Sequence, residues 1–171
     1  MYAKFLNRCS PILMCLVLGC GYVSTSSYLE HIKTVQIAPV QIEDSDIVYD
    51  VQSDRPYDEI LQEKLTKRFT RKWRDGNDAL LEVRILDYDL REVDFGATNQ
   101  AEKLRMSLQV DYRFLDRVNN KIIDQDDSYF QVLDFFVVSG RDEEPKSVQQ
   151  ARTEIFDEFV DDLFQQLAEQ W

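Results

Sequence analysis

The chain combines a length of 171 residues, an ordinary globular composition and a net charge of −12. A chain this acidic has no electrostatic affinity for nucleic acid or for an anionic membrane surface, so any anionic ligand must be met by a local basic cluster. The single histidine, His31, and the lack of a phosphate-binding glycine loop leave no catalytic constellation. We therefore predict a non-enzyme that uses no metal and no cofactor.

Residues 1–19 have the layout of a lipoprotein export signal. Lys4 and Arg8 form a short positive region, and the apolar run at 11–18 is too short to span a bilayer, which needs roughly 20 residues. Gly19 places a small residue directly before Cys20, in the order VLGC of a lipid-attachment site. We predict that residues 1–19 are removed and that Cys20 is lipidated. An ordinary signal peptide with an incidental cysteine is the alternative.

The mature part is predicted to be one domain stabilised by its core alone. Removal of the leader leaves 152 residues and a net charge of −14, since the leader holds two bases and no acid. A chain of about 150 residues buries enough surface to fold without cross-links. No disulfide is expected, because Cys9 and Cys15 leave with the leader and Cys20 carries the lipid. Residues 20–30 form a tether, and residues 31–171 form the domain.

The first half of the domain predicts a strand, a loop and a helix. Residues 32–40 contain β-forming side chains, with Pro39 near the end of this predicted strand, and an acidic loop follows at 41–55. Pro56 opens an amphipathic helix that Gly76 is expected to stop. Its apolar side chains recur every four residues, at Tyr57, Leu61, Leu65, Phe69 and Trp73. The bases Lys67, Arg68, Arg71 and Lys72 near its end suit either a solvated helix terminus or a ligand-binding patch.

The second half predicts three strands and a final helix. Residues 79–94 alternate until the phase shifts beyond Leu86, which indicates a bulge. Residues 104–114 alternate strictly, so this strand has one buried and one wet face. A turn rich in asparagine at 116–121 leads to a fourth strand region at 121–138, which an Asp-rich run interrupts. The last helix is expected at 147–170, with an apolar stripe at Val148, Ala151, Ile155, Phe159, Leu163 and Leu167.

The order of elements is therefore β-α-β-β-β-α. Short connections make the later strands antiparallel, whereas the first strand–helix–strand unit should place two parallel strands in one sheet. Each helix has a single apolar face to bury. These patterns predict an α+β fold, a mixed four-stranded sheet with two helices packed on one face.

Several short segments, in this order and spacing, resemble one known family. They are CGY at 20–22, LEHIKTV at 29–35, IAP at 37–39, LQEKLT at 61–66, ALLEV at 79–83, ILDYDL at 85–90, VDYRFLDR at 110–117 and NK at 120–121. The chain resembles the LptE-like lipopolysaccharide-assembly lipoproteins over nearly its whole mature length. The resemblance implies a mixed sheet with two helices on one face, in agreement with the fold predicted from the residue patterns.

The resemblance also implies a function. Such proteins are lipid-anchored at the periplasmic face of the outer membrane, where they plug and support the β-barrel that inserts lipopolysaccharide, and they contact lipopolysaccharide itself. Gly21 after the lipidated cysteine agrees with outer-membrane sorting. Lys103, Arg105 and Arg141 are the candidate phosphate-binding residues, expected to cluster at one end of the sheet. Ordinary salt bridges are the alternative for these bases. Two other roles stay open. The chain could be a tethered lipoprotein that activates another envelope enzyme, or an unrecognised hydrolase.

Overall fold

The computed structural model describes residues 29–43, 49–50, 55–95, 101–139 and 144–168. The predicted leader, Cys20, most of the tether and Arg141 lie outside these ranges. Within them, seven strands and two helices follow one another in the chain. They are β1 (Thr34–Ile37), β2 (Gln41–Ile42), β3 (Tyr49–Asp50), β4 (Arg55–Pro56), α1 (Tyr57–Phe69), β5 (Arg74–Phe95), β6 (Ala101–Asp116), β7 (Lys121–Phe136) and α2 (Val148–Ala168).

The main sheet has the strand order β1-β5-β6-β7, and β2 also pairs with β5. β1 and β2 run parallel to β5, whereas β5, β6 and β7 are joined as antiparallel neighbours. The predicted α+β class and mixed sheet are therefore confirmed, with the short β2 as an addition to the four predicted strands. The two-residue strands β3 and β4 form a separate pair. The predicted acidic loop contains β3, whereas Pro56, predicted as the first residue of the helix, ends β4 directly before α1.

The local irregularities that the sequence predicted are present in the main sheet. The register of β5 with β6 shifts between Ile85 and Asp87, at the predicted change of phase. The register of β6 with β7 shifts twice opposite the Asp-rich run. Asn120 adopts a positive φ of 51° in the turn between these strands, a conformation that asparagine tolerates better than most residues.

One hydrophobic core lies between the sheet and the two helices. The predicted stripe of α1 is buried in full, from Tyr57 to Trp73, and so is most of the stripe of α2. The inward side chains of β6 complete this core at Met106, Leu108, Val110, Tyr112 and Phe114. Arg152 of α2 was not foreseen as a core residue. It is buried with its guanidinium 5.3 Å from the centre of the Tyr57 ring, and burial lowers its pKa.

The prediction that Gly76 ends the first helix was wrong. α1 ends at Phe69, where the backbone tightens: Lys72 N–H donates to the Phe69 carbonyl at 3.1 Å, and Trp73 N–H donates to the same oxygen at 3.0 Å. This turn directs the Trp73 ring into the core, within 6.0 Å of the Phe114 ring. Gly76 instead lies in β5, where the register with β1 jumps from Thr34–Arg74 to Val35–Ala79.

Replacement of Gly76 by alanine is expected to lower the free energy of unfolding by about 1–3 kcal/mol. A Cβ at this position would stand 2.6 Å from both Cβ and Oγ1 of Thr34. Thr34 cannot move away freely, because its Oγ1 accepts the Asp78 N–H at 3.1 Å. Urea unfolding of Gly76→Ala measures the effect, with Asn77→Ala as the neighbouring control. Equal stability of Gly76→Ala and wild type would contradict this close approach.

Candidate functional site

The face of the sheet away from the helices carries most of the charged side chains of β5 and β6. We call this the open face. Its anchor end lies where the described chain begins, because His31 Nε2 is 2.5 Å from Asp116 Oδ2 and 3.0 Å from Asn119 Nδ2, at the turn between β6 and β7. Its distal end lies at the other end of β6, around Lys103.

Two of the three predicted phosphate-binding residues meet at the distal end. Arg105 donates to both carboxylate oxygens of Asp134. Its Nε lies 2.7 Å from Oδ1, and one terminal nitrogen lies 3.0 Å from Oδ2. Lys103 Nζ lies 3.2 Å from Asp134 Oδ2 and 5.5 Å from the centre of the Phe136 ring. The two cations share one carboxylate and remain 30% and 50% exposed, for Lys103 and Arg105 respectively.

The Asp134 carboxylate is held ionised by these neighbours. The hydrogen bond from Arg105 is the main cause that lowers its pKa to about 2, with Lys103 adding to the effect against the opposing influence of partial burial. Across the strand, Asp94 faces Lys103 and Arg91 faces Arg105 in register. Arg91 in turn pairs with Asp89. At the distal end, Lys103 and Arg105 therefore share the Asp134 carboxylate, and an anion would bind these two donors in competition with Asp134.

Arg141, the third predicted residue, lies outside the described residues. The segment that contains it leaves and returns at the distal end. Val137 N–H donates to the Glu102 carbonyl at 3.0 Å, and Lys146 N–H donates to the Phe136 carbonyl at 2.8 Å. The structure thus brings Lys103 and Arg105 together and places both ends of the Arg141 segment beside them.

The anchor half of the open face carries a second set of ion pairs. Arg84 binds Asp111 and lies 3.4 Å from Glu43, and Arg113 binds Glu82 at 2.8 Å. The hydrogen bond to Asp111 is the main cause of a raised pKa at Arg84. A polar depression of about 400 Å³ lies beside these pairs, under residues 38–39 and 41. Arg84 and Arg113 each have an acidic partner, so an anion would have to displace Asp111 or Glu82 to bind them.

Part of the basic end of α1 is bound to α2. Lys64 Nζ lies 2.5 Å from Asp157, and Arg68 Nε donates to Asp161 at 2.6 Å while its guanidinium covers the Phe164 ring at 3.8 Å. Lys72 donates to the Ala168 carbonyl oxygen. These contacts hold the two helices side by side. They account for Arg68 and Lys72, two of the four bases that the sequence left open between a solvated terminus and a ligand patch.

Two features of these sites were missed at the level of sequence. The first is the role of Asp134, which only the register of β6 with β7 brings opposite Arg105. The second is His31, which the sequence placed beside a tether, away from any site. Asp116, its partner, is itself buried and was read as part of a turn. The period-two pattern of β6 could have shown that Lys103 and Arg105 share a face, but not which acid they meet.

The described part of the chain shows neither a metal-binding cluster nor a membrane-spanning helix. Among the described residues, no three His, Cys, Asp or Glu side chains come together to hold a metal ion. No helix in these ranges combines the length and the apolar character needed to cross a bilayer.

The family model for lipopolysaccharide assembly, LptE, matches residues 32–170. The chain belongs to the LptE family. The match begins two residues before β1 and ends just after α2, so it includes the whole sheet, both helices and the distal cations. This membership makes the chain a protein of lipopolysaccharide assembly. A comparison with curated protein sequences gives no significant match.

Three solved structures are similar to the chain to different degrees. A hypothetical protein from Chlamydia trachomatis superposes with a TM-score of 0.55 at 11% identity, covering 80% of this chain and 98% of its own. The minor lipoprotein from Acinetobacter baumannii gives 0.45 at 13% identity, covering 79% and 90%. The rare lipoprotein B from Shewanella oneidensis gives 0.42 at 13% identity, covering 78% and 93%. The first of these likenesses supports the fold and carries no information about activity.

Proposed function

We propose that this LptE-family chain is a non-catalytic outer-membrane lipoprotein, anchored through Cys20 at the periplasmic face. In this proposal it plugs and supports the β-barrel that translocates lipopolysaccharide, and its distal end contacts lipopolysaccharide phosphates. The observation that carries the proposal is the position of Lys103 and Arg105 at the opposite end of the sheet from His31. Family membership supplies the setting of lipopolysaccharide assembly.

The length of the sheet suits a body that reaches through a barrel. At about 3.3 Å per residue, Lys103 lies roughly 43 Å along β6 from Asp116. The hydrocarbon core of a bilayer is about 30 Å thick. A domain tethered at its anchor end to the inner leaflet could therefore present the distal cations near the outer leaflet, where lipopolysaccharide is inserted.

The surface of the domain suits a polar barrel lumen. The ion pairs of the open face and the charged outer sides of the two helices present polar groups on both sides of the domain. Outer-membrane β-barrels have polar interiors. Contact with the lumen would then bury few apolar groups, and the ion pairs would meet polar barrel side chains.

Crosslinking in living cells tests the plug. A photoreactive residue at Ser107 on the open face and another at Thr153 on the outer side of α2 should capture the same outer-membrane β-barrel protein, because a lumen surrounds both faces. The captured protein is identified by mass spectrometry and by its heat-dependent mobility. Capture of a periplasmic enzyme from either position, without a barrel, would favour the role of an activator of another envelope enzyme and contradict the plug.

Replacement of Cys20 by serine is expected to abolish labelling of the protein with radioactive palmitate and to release it from membranes. A serine hydroxyl does not replace the thiolate that accepts the lipid. Cys15→Ser, which changes the leader only, is the matched control and should keep normal labelling. Equal labelling of Cys20→Ser and wild type would contradict the anchor.

The double reversal Lys103→Glu and Arg105→Glu is expected to weaken binding of purified lipopolysaccharide by tenfold or more. It removes two charge-assisted hydrogen-bond donors, each worth about 1.5–3 kcal/mol. The matched control is Arg84→Glu with Arg113→Glu, which makes the same change of net charge at the anchor half of the open face. Surface-immobilised protein and soluble lipopolysaccharide give the affinities.

A second variant separates direct contact with lipopolysaccharide phosphates from the effect of the overall charge of the protein. Asp134→Asn removes the anion that competes for Lys103 and Arg105, so binding of lipopolysaccharide should tighten. Lys103 and Arg105 would be excluded from the site by either of two results. One is equal weakening of lipopolysaccharide binding by the double reversal and by its control, and the other is unchanged binding in Asp134→Asn.

A further inference from the structure

β7 is an edge strand whose second half lacks the usual protection of an edge. In the described part of the chain, β7 pairs only with β6. From Tyr129 to Phe136 the pairing with β6 continues without a register shift. This half contains no proline and no lysine, and its only charge is Asp134. Natural edges usually carry bulges, lysines or prolines that prevent another strand from pairing. The first half of β7 has such features, namely two register shifts and three aspartates.

Two hydrogen bonds establish which backbone groups of this half point outward. Val137 N–H donates to Glu102 of β6, whereas the Phe136 carbonyl accepts from Lys146, outside the sheet. Because successive residues of an antiparallel strand alternate between the two sides, Phe130, Val132 and Asp134 direct their N–H and C=O groups away from β6. The contact from Lys146 closes this edge at Phe136, so the accessible part of the edge ends there.

The side chains beside this edge differ on the two faces. On the open face, Phe130 is 60% exposed and Val132 is 40% exposed. On the helix side, Tyr129 O–H donates to Asp162 at 3.1 Å, and Gln131 donates to Glu158 at 3.0 Å. A strand added next to β7 would thus meet apolar side chains on one face and the acidic flank of α2 on the other.

We propose that the edge at Phe130, Val132 and Asp134 is a docking site for an extended strand of another protein. The strand that fits carries apolar residues facing Phe130 and Val132, alternating with lysine or arginine facing Glu158 and Asp162. Main-chain hydrogen bonds supply affinity in such strand addition, and the alternating side chains supply specificity. A second copy of this chain is a poor occupant, because two domains of net charge −14 repel each other. The inference holds whether or not the partner is a barrel.

The test uses the full chain purified in detergent and a synthetic nine-residue peptide of alternating valine and lysine, followed by fluorescence anisotropy. The peptide should bind to wild type. Val132→Pro should weaken binding tenfold or more, because proline removes an N–H that faces the free edge while leaving the pairing with β6 intact. Val132→Thr, which keeps that N–H, should bind within twofold of wild type.

Two peptide controls keep the result decisive even where Val132→Pro alters the fold. A peptide of the same composition with all its lysines in one block cannot present two different faces and should bind at least tenfold more weakly. A version with N-methylated amides along one edge should lose affinity to the same extent. Three results would each overturn the proposal. They are no binding of the alternating peptide, equal binding of the block or N-methylated peptide, and a wild-type dimer that Val132→Pro dissociates. None of these results depends on the barrel crosslinks, so the two proposals fail separately.

Discussion

Replacement of Phe69 by alanine is expected to lower the free energy of unfolding by about 3–5 kcal/mol. Phe69 is fully buried at the end of α1 and holds an aromatic cluster together. Its ring stacks on Trp73 at 5.8 Å and meets the Phe164 ring of α2 edge-on at 5.4 Å. Trp73 in turn contacts Phe114 of β6. Truncation therefore leaves a cavity at the junction of both helices and the sheet.

This loss is large against the total stability of a domain, which is typically 5–15 kcal/mol. Urea unfolding followed by tryptophan fluorescence measures it, since Trp73 reports directly on the cluster. Phe130→Ala is the matched control: the same truncation at an exposed ring should change the free energy of unfolding by less than about 0.5 kcal/mol. Similar losses for the two variants would show that the Phe69 cluster is not a centre of the core.

Replacement of Asp116 by alanine is expected to cost about 2–3 kcal/mol at neutral pH, because buried hydrogen bonds to a charged group are among the more valuable ones. The carboxylate accepts the Asn119 N–H at 2.9 Å and the Asn119 side-chain N–H at 2.7 Å, and it contacts His31. Burial alone would raise the pKa of Asp116, but the hydrogen bonds from Asn119 and His31 outweigh it and hold that pKa below its ordinary value.

The direction of the pH dependence follows from this lowered pKa. An acid with a lower pKa in the folded state stabilises the protein above its unfolded value of about 3.9, and the contribution is lost as the pH falls through the folded value. The stability difference between wild type and Asp116→Ala should therefore be constant near neutral pH and shrink below about pH 4. Urea unfolding between pH 3 and pH 7 measures it. A difference that grew on acidification would contradict the assignment.

Asp116→Asn separates the charge of this group from its shape. The amide keeps the size of the side chain but loses the negative charge, so it should be less destabilising than alanine and should make no contribution that changes at acid pH. His31→Gln tests the other partner and should affect stability in the same direction. A loss for Asp116→Asn as large as that for Asp116→Ala would assign the whole effect to the charge.

The sequence predicted most accurately those elements whose side chains repeat with one period. The strict alternation over 104–114 marked β6, and the apolar stripe of α2 gave its bounds within two residues at each end. The end of α1 was misplaced because Trp73 continues the four-residue spacing of the helix, although it enters the core from a turn. The short β2, β3 and β4 carry too few residues for any period to be read.

The regular alternation along β6 also allowed part of the candidate site to be predicted. Lys103 and Arg105 differ by two positions on a strand, so their common face follows from the alternation alone. Their meeting with Asp134 depends on the register of β6 with β7, which two bulges in the first half of β7 shift. Likewise, the contact of His31 with Asp116 joins residues 85 positions apart in the chain, and no local pattern could indicate it.

The parallel pairing of β1 with β5 has a mechanical consequence. Asp78 Oδ2 accepts the N–H groups of Lys33 at 3.0 Å and Thr34 at 2.9 Å, and the pairs from Thr34 to Ile37 follow directly. Tension between a membrane attachment before residue 29 and a partner that grips the distal end would act along β1. Such a force shears these hydrogen bonds together instead of opening them one after another. We therefore expect the described domain to resist a pull applied before residue 29 better than one that opens its strands one pair at a time.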